Sequence, residues 1–409
     1  MKLLIADRAV IGDGERVLNQ AAIVLDNNGK IKEMGTETEL LERFPQAQVS
    51  RYEGCTILPG LIDLHVHVGY PWKKEDYTWK KSDQDKYKNG LNALMASSYL
   101  KEALSLGVTT VRDVGSPDGL LRVLKEAIEK GYIAHSPRFF GVNQPIGMTG
   151  GHASSLDGIS RDADGPWDMR TAVREQIKAG ADWIKITIGH REPTPEHTQE
   201  ELDAAIDEVH RLGRKCCVHA ALQPAIPMAI QAGVDTIEHG TFMTVEQAKQ
   251  MAEKGIIWVP TMMTFFELAD YFRKMEQQTF SGVKNHSFDK QAEFFKESEQ
   301  AYRENFAKLM ETGVKIATGT DIVLDGYPIT PVSGEVGLMV DLGMEPIRAI
   351  QAATQTPAQV LDIGHEVGLL APDYYADVLV VEGDPLEDIS ALKQVREVFR
   401  NGQSVFSNL

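Results

Sequence analysis

One stretch decides the fold prediction, Pro59-Gly60-Leu61-Ile62-Asp63-Leu64-His65-Val66-His67. It is an apolar run that ends in two histidines separated by one residue. Because side chains on a β-strand alternate between its two faces, His65 and His67 point the same way and can share one metal ion. The stretch therefore predicts a strand that carries a metal site at its carboxyl end.

Four later apolar runs also end in a polar residue that suits a metal centre. They are Trp183-Ile184-Lys185, Cys217-Val218-His219, Ile237-Glu238-His239 and Thr318-Gly319-Thr320-Asp321. Any one of these residues alone is weak evidence, since a histidine at a strand end is more often packed or exposed than a ligand. Active sites of (β/α)₈ barrels lie at the carboxyl ends of the strands, so the six residues together predict a two-metal hydrolytic centre.

Apolar runs and amphipathic helices alternate between residues 57 and 363. The predicted strands are Ile57–His67, Val108–Asp113, Arg138–Asn143, Trp183–Ile188, Lys215–His219, Thr236–His239, Ile256–Pro260 and Lys315–Asp321. Eight such alternations predict an α/β fold with a closed (β/α)₈ TIM barrel. A doubly wound sheet is disfavoured, because no glycine-rich dinucleotide or phosphate-binding motif follows the first strand.

The two ends of the chain are predicted to form a second unit. Residues 1–58 and 364–409 contain alternating strands and hairpin turns, and neither piece can bury a core alone. We expect a small β-sandwich domain built from both termini, with the barrel of residues 59–363 inserted between them.

Composition narrows the class of protein. The 409 residues are 43% hydrophobic and 25% charged, as in a soluble globular protein, and no apolar run is long enough to span a membrane. A net charge of −17 argues against nucleic acid and anionic membranes as partners. The short apolar N-terminus does not resemble a signal peptide, so a cytoplasmic protein is expected. The oligomeric state stays open, a homo-oligomer included.

Lys185 is the anomalous member of the six residues. Four histidines and Asp321 supply five metal ligands, whereas an ammonium group would be repelled by the ions and has no lone pair to donate. Carboxylation of Lys185 by CO₂ resolves this, because the carbamate is anionic and its two oxygens can bridge two divalent ions. The alternative is an interior lysine paired with an acid.

These motifs resemble the amidohydrolase superfamily over nearly the whole chain. The motif residues are Gly60–His67, Gly107–Thr110, Trp183–Ile186, Val218–Ala220, Ile237–Gly240, Gly319–Asp321 and Ala376–Val380. The resemblance implies that His65, His67 and Asp321 hold one divalent ion and His219 and His239 the other, with carboxylated Lys185 as the bridge. It implies zinc as the metal, a metal-bridging hydroxide as the nucleophile and Asp321 as the general base.

Three further segments resemble the prolidase-like and Xaa-Arg-type dipeptidases, a group that includes N-acyl-amino-acid hydrolases. They are Thr149–His152, Ala163–Pro166 and Val173–Ile186. The resemblance implies that His152 polarises the scissile carbonyl of a dipeptide or N-acyl amino acid. Arg191 could clamp the substrate carboxylate in bidentate fashion, although an exposed arginine is more often only solvated.

Other activities remain open from the sequence. The same metals could hydrolyse a cyclic amide, a lactone, a carbamate or an organophosphate. A deaminase is disfavoured by the bridging lysine, and a non-catalytic scaffold is disfavoured by the complete ligand set. The aromatic and lysine-rich loop of residues 70–81 is either a lid or a surface loop, and the aromatic residues between Phe265 and Met310 are expected to be packing.

Overall fold

The structure is a computed structural model that describes the chain except for residues 70–83, 156–158, 190–193, 279–285, 323–329 and 409. The described chain has an α/β fold, as predicted. Its strands are β1 (Lys2–Val10), β2 (Val17–Leu25), β3 (Ile31–Thr36), β4 (Gln48–Pro59), β5 (Leu61–Val66), β6 (Val108–Asp113), β7 (Arg138–Gly141), β8 (Ile146–Gly147), β9 (Arg161–Asp162), β10 (Trp183–Gly189), β11 (Lys215–Ala220), β12 (Thr236–His239), β13 (Ile257–Val259), β14 (Val378–Glu382), β15 (Val395–Arg400) and β16 (Gln403–Ser407).

The helices lie mostly between these strands. They are α1 (Glu37–Arg43), α2 (Gln84–Ser105), α3 (Leu120–Glu129), α4 (Pro166–Lys178), α5 (Gln199–Arg211), α6 (Ala225–Ala232), α7 (Val245–Lys254), α8 (Met262–Gln278), α9 (His286–Met310), α10 (Val332–Asp341), α11 (Pro346–Ala352) and α12 (Gln355–Val360). Capping boxes begin α5 at Thr198 and α7 at Thr244, because each threonine and the third helical side chain satisfy each other's free backbone N–H groups. No helix in the described ranges is long and apolar enough to cross a bilayer.

Strands from both termini share one hydrogen-bonded sheet. Within the described residues its order is β16-β15-β14-β4-β1-β2-β3. The long strand β4 joins the two termini, since it pairs in parallel with β1 and antiparallel with β14. In the described chain these strands form one continuous sheet, because β4 pairs along both of its edges. That they form a separate sandwich domain stays a prediction.

The central strands run parallel, with helices between them. As far as the structure describes the chain, one sheet has the order β13-β12-β11-β10-β8-β9 and another the order β5-β6-β7. The backbone N–H of Asp182, just before β10, donates to the carbonyl of Gly141 at the end of β7. On the other side, residues 315–321 bond to both sheets: Ala317 donates to Trp258, and Leu64 donates to Thr318. The two parallel sheets are therefore linked by hydrogen bonds at two places, before β10 and along residues 315–321.

Two predicted strands differ from the observed ones. The predicted strand Ile57–His67 is interrupted at Gly60, since β4 and β5 join different sheets. A β-carbon at position 60 would lie 2.2 Å from the Thr109 hydroxyl, which favours glycine there. The prediction of a strand over Lys315–Asp321 was wrong: only Ile316 forms a ladder bridge, to Trp258. Thr318 donates its N–H to Ala352 instead of a strand, and Asp321 has a left-handed backbone conformation with φ of 49°.

Candidate metal centre

The first part of the site lies at the end of β5, where two histidines differ in their exposure to solvent. His65 is 1% exposed, whereas His67, beyond the end of the strand, is partly exposed. The carboxylate of Asp321 lies against both: its Oδ1 is 3.6 Å from Nε2 of His65 and 3.4 Å from Nε2 of His67. The backbone N–H of Asp321 donates to the carbonyl of His65 at 2.9 Å, which holds the two segments in this register.

His219 and His239 form the second part of the site, at the carboxyl ends of β11 and β12. Both are buried, and Nε2 of His239 lies 2.8 Å from Nδ1 of His219. At that distance one ring nitrogen carries a proton and the other accepts it. A divalent ion bound by both rings would take the place of this proton.

The two parts of the site lie next to each other. The ring centres of His65 and His239 are 5.1 Å apart, and donor atoms of His65, His239 and Asp321 all lie within 4.8 Å of one another. Imidazole nitrogens and a carboxylate are ligands that zinc and similar ions prefer. The donor set therefore fits a divalent metal.

Lys185 projects from β10 into the same region. Its side chain is 3% exposed, and its Nζ has no hydrogen-bond partner in the described part of the chain. An unpartnered buried ammonium is costly, because desolvation is not compensated by a hydrogen bond or a counter-charge. Among the described residues, no acid lies within hydrogen-bond distance of Lys185.

Burial and neighbouring charges shift the pKa values of the site. Burial lowers the pKa of His239 to about 4 and holds the pKa of His65 well below its usual range. Burial also disfavours the cationic form of His67, but its bond to Asp321 outweighs this and raises its pKa. For Asp321 the nearby histidines overcome burial, so the pKa of its carboxyl is held well below the usual range. His65 and His239 are thus neutral imidazoles near an ionised carboxylate, the forms that bind a metal.

The segment between β8 and β9 brings His152 to the centre. The ring of His152 lies 5.1 Å from the ring of His219, tilted by 33°. A partly buried carboxylate fixes this turn, because Oε1 of Glu196 accepts the backbone N–H of His152 at 2.9 Å. Glu196 also accepts the Thr187 hydroxyl of β10 at 3.4 Å. His152 is therefore anchored to the strand that carries Lys185.

Several residues around the site were not found from the sequence. Glu238 accepts a hydrogen bond from Nδ1 of His65 at 2.7 Å, and Arg112 binds Glu238 from β6. The hydroxyl of Thr261 lies 2.7 Å from Nδ1 of His239, and the carbonyl of Gly115 lies 2.9 Å from Nδ1 of His67. The sequence did offer a signal for Arg112 and Glu238, because each is a charged residue in a strand whose residues are all buried. The backbone contact of Gly115 has no signature in sequence.

Two of the predicted ligands have unusual backbone conformations. His239 and Asp321 have positive φ values of 68° and 49°, which non-glycine residues rarely adopt. Two hydrogen bonds stabilise the backbone conformation of His239. The indole N–H of Trp258 and the hydroxyl of Tyr302 both donate to its carbonyl oxygen. Such outliers concentrate at functional sites, where the surrounding structure enforces them.

Two predictions lie outside the described residues. Arg191 is one of them, so its contact with a substrate carboxylate stays a prediction. The loop of residues 70–81 is the other, so its role as a lid stays a prediction too.

The aromatic residues after β13 are described in large part. Phe265, Phe295, Tyr302 and Phe306 are buried in the core, as expected of packing residues.

The chain is similar to a known family and to several known proteins. The model of the amidohydrolase family matches residues 56–405. Ochratoxinase of Aspergillus niger is 28% identical, with 98% of this chain and 86% of the relative covered. Among solved structures, a Xaa-Pro dipeptidase with bound methionine aligns with a TM-score of 0.83 at 30% identity, covering 100% of both chains. A prolidase complexed with N-methylphosphonate-L-proline aligns with a TM-score of 0.82 at 27% identity, again covering 100% of both chains.

Proposed function

Since this chain belongs to the amidohydrolase family, and is thereby a hydrolase of carbon–nitrogen bonds, we propose that it is a binuclear metal-dependent enzyme. Its substrate would be an amide next to a carboxylate, as in a dipeptide or an N-acyl amino acid. The observation that carries the proposal is the meeting of His65, His239 and Asp321, whose donor atoms lie within 4.8 Å of one another. The buried amine of Lys185, without a hydrogen-bond partner among the described residues, is near enough to His65 and His239 to lower the pKa of each. The similar dipeptidase and prolidase support the choice of substrate.

The proposed fold behind this site is a closed (β/α)₈ barrel of residues 59–363. Its support is the pair of links between the parallel sheets, at Asp182 with Gly141 and along residues 315–321. In such a barrel all carboxyl ends of the strands face one side, where the ligands would converge. Residues 1–58 and 364–409 would form the appended domain.

The metal ligands divide as the resemblance implies. His65, His67 and Asp321 would hold one divalent ion and His219 and His239 the other, with zinc as the expected metal. Lys185 would bridge them as a carbamate: its neutral amine attacks the carbon of CO₂, an N–C bond forms and the nitrogen loses a proton. The two carbamate oxygens then replace an unpartnered buried cation with an anion. Divalent ions bound there would lower the pKa of water and polarise the substrate carbonyl.

Asp321 would manage the proton during hydrolysis. Its carboxyl has a pKa held well below the usual range by the neighbouring histidines, so it is ionised at neutral pH and can accept a proton. It would take the proton from the attacking water as the C–O bond forms. It would then deliver that proton to the amine nitrogen as the C–N bond breaks.

His152 would stabilise the oxygen of the scissile carbonyl. Its ring lies beside His219, and its backbone is fixed by Glu196, so it can donate a hydrogen bond without reorganisation. Preorganised donors of this kind act on the charge that develops in the transition state. Arg191 would bind the substrate carboxylate in bidentate fashion.

A panel of substrates on zinc-loaded protein tests the function. Dipeptides and N-acyl amino acids are compared with the same compounds whose carboxylate is amidated, and with lactones and phosphotriesters. We expect turnover of amides with a free carboxylate, and loss of turnover when that carboxylate is blocked. Chelator-treated protein is the matched control. Turnover of lactones or phosphotriesters alone would refute the amide proposal and favour the other hydrolase activity.

A further inference from the structure

A buried ion pair lies behind the metal ligand His65. The guanidinium of Arg112 is fully buried and donates to Oε1 of Glu238 at 2.9 Å. The two residues come from β6 and β12 and are 126 positions apart in sequence. Glu238 is fully buried too, and its second oxygen, Oε2, lies 2.7 Å from Nδ1 of His65. One carboxylate therefore joins an arginine to a predicted metal ligand.

Several further contacts hold the side chain of Arg112 in place. Its Nε donates to the carbonyl of Leu64 at 2.7 Å, on the strand that carries His65. Its guanidinium also lies 4.6 Å from the centre of the Trp183 ring. The Thr236 hydroxyl accepts from Arg112 at 3.4 Å and donates to the same oxygen of Glu238. Glu238 is thus held rigidly, with Oε2 aimed at His65.

Stability alone does not explain such a pair. Desolvation of two buried charges cancels much of their attraction, and apolar replacements of buried ion pairs are often neutral or stabilising. The direction of Oε2 offers a different reason. A carboxylate can only accept hydrogen bonds, so the imidazole nitrogen that faces it must carry the proton. In a neutral imidazole the other nitrogen then holds the lone pair.

We propose that Glu238, held by Arg112, is a positioning residue for His65: it keeps the proton on Nδ1 and so leaves the Nε2 lone pair directed at the metal. This inference rests on the proposed metal site. Hydrogen bonds from carboxylates to metal-binding histidines fix the ring and raise its basicity.

The wild-type protein gives the first test. Full-length, metal-free protein labelled with nitrogen-15 histidine is measured by long-range proton–nitrogen NMR, and the signal of His65 is assigned by its absence in His65→Gln. We expect a protonated Nδ1 and an unprotonated Nε2, and a change at Nε2 alone when zinc is added. A proton on Nε2 in the metal-free protein would overturn the inference whatever the variants do.

Variants give the second test. Glu238→Gln keeps the shape of the side chain, but its amide cannot accept from His65 and Arg112 at once. We expect its dissociation constant for zinc to rise by about 10–100-fold in competition with a chelator, and the His65 nitrogen signals to change. Asp377→Asn is the matched control, because Asp377 is a buried carboxylate bound to Arg138 that contacts none of the ligands. Its zinc affinity and His65 signals should equal those of the wild type.

The outcomes separate this inference from the proposed function. Wild-type protein that binds no zinc would refute the metal site itself. Wild-type zinc affinity and unchanged His65 signals in Glu238→Gln would refute only the positioning role. If Glu238→Gln does not fold, Glu238→Asp replaces it. This variant keeps the charge near Arg112 but withdraws the carboxylate from His65, and its zinc affinity should fall as well.

Discussion

Asp63 accepts two hydrogen bonds from Thr320, one from the backbone N–H to Oδ1 at 3.1 Å and one from the hydroxyl to Oδ2 at 2.7 Å. The two residues are 257 positions apart. The same carboxylate accepts the backbone N–H of His65 at 3.0 Å. Asp63 therefore fixes the strand that carries His65 against the segment that carries Asp321, and the spacing of these two proposed ligands depends on it.

Replacing Thr320 by valine should destabilise the protein. The variant leaves the buried Oδ2 of Asp63 without its hydroxyl donor, and an unsatisfied buried group costs about 1–3 kcal/mol. Urea unfolding of metal-free protein measures the change. Thr110→Val is the matched control, because the buried hydroxyl of Thr110 has no hydrogen-bond partner among the residues described. Equal stability losses in the two variants would show that the Asp63 bond contributes nothing.

Replacing Lys185 by alanine should remove bound metal and activity together. The variant cannot form the carbamate, so the two ions would lose their shared ligand. A short carboxylic acid added with metal should restore part of the activity, because its carboxylate can occupy the vacated space. Metal analysis and hydrolysis rates measure both effects. Lys215→Ala is the control, since Lys215 lies on the neighbouring strand β11 but pairs with Asp362 on the surface.

The carbamate itself can be observed in the wild type. Protein equilibrated with carbon-13 bicarbonate should give a carbamate signal by NMR that is absent in Lys185→Ala. An unmodified lysine in protein that holds two metal ions would contradict the bridge.

Replacing Asp321 by asparagine should separate catalysis from metal binding. Asp321 supplies one of several proposed metal contacts but would carry the proton, so much of the metal should remain while kcat falls. General acid–base contributions are about 10²–10⁴-fold, and the weakened metal contact should add to this loss. Metal content and the pH dependence of kcat/KM are measured together. Near-normal turnover with full metal would place the base elsewhere, with His152 as the first candidate.

Replacing His152 by alanine should lower kcat without loss of metal. The loss of one preorganised donor to the carbonyl oxygen costs about 10²–10³-fold in kcat. Glu196→Ala should have a smaller effect in the same direction, since it releases the backbone N–H of His152 and the Thr187 hydroxyl but leaves the His152 ring in place. Steady-state kinetics with metal analysis distinguish the roles. Loss of metal in His152→Ala would instead identify His152 as a ligand.

Glu335 should make stability depend on pH. Its carboxyl is fully buried and accepts the N–H groups of Met262 and Met263 at the start of α8, and burial raises its pKa from 4.5 to about 8. Below pH 4.5 the group is protonated in both the folded and the unfolded protein. As pH rises toward about 8, only the unfolded chain releases its proton, so the contribution of Glu335 to stability is lost over this range.

Urea midpoints across that range measure the effect. Glu335→Gln should lose less stability than the wild type as pH rises, because its amide does not ionise. Glu397→Gln, a buried carboxylate in the terminal sheet, controls for a general effect of replacing a buried acid. Parallel pH curves for the wild type and Glu335→Gln would contradict the raised pKa.

Several features were predictable because they depend on local chemistry. The alternation of apolar runs and capped helices is a local periodicity, and it predicted the α/β fold and the bounds of β6 and β12. The choice of His65, His219 and His239 depended on a polar residue ending an apolar run, and the structure brings these side chains together. That they bind metal remains a prediction.

The errors arose where distant segments compete for the same backbone groups. The segment of residues 315–321 has the composition of a strand, but its N–H groups bond to three different segments: that of Ala317 to Trp258, that of Thr318 to Ala352 and that of Asp321 to His65. The apolar run of residues 57–67 passes from one sheet to another at Gly60, whose N–H donates to Asp377 and whose backbone lies close to Thr109. These long-range contacts produce no hydrophobic periodicity in the local sequence from which they could be predicted.

The sequence by itself determined the class of fold, the family likeness and the set of side chains able to bind metal, because strand periodicity and ligand chemistry belong to individual residues and their neighbours. Only the tertiary structure decided which groups hold those side chains in place. Arg112 meets Glu238, and Thr320 meets Asp63, across more than a hundred residues of chain. Such pairs form because buried polar groups must find partners wherever packing brings them, and sequence spacing does not record that encounter.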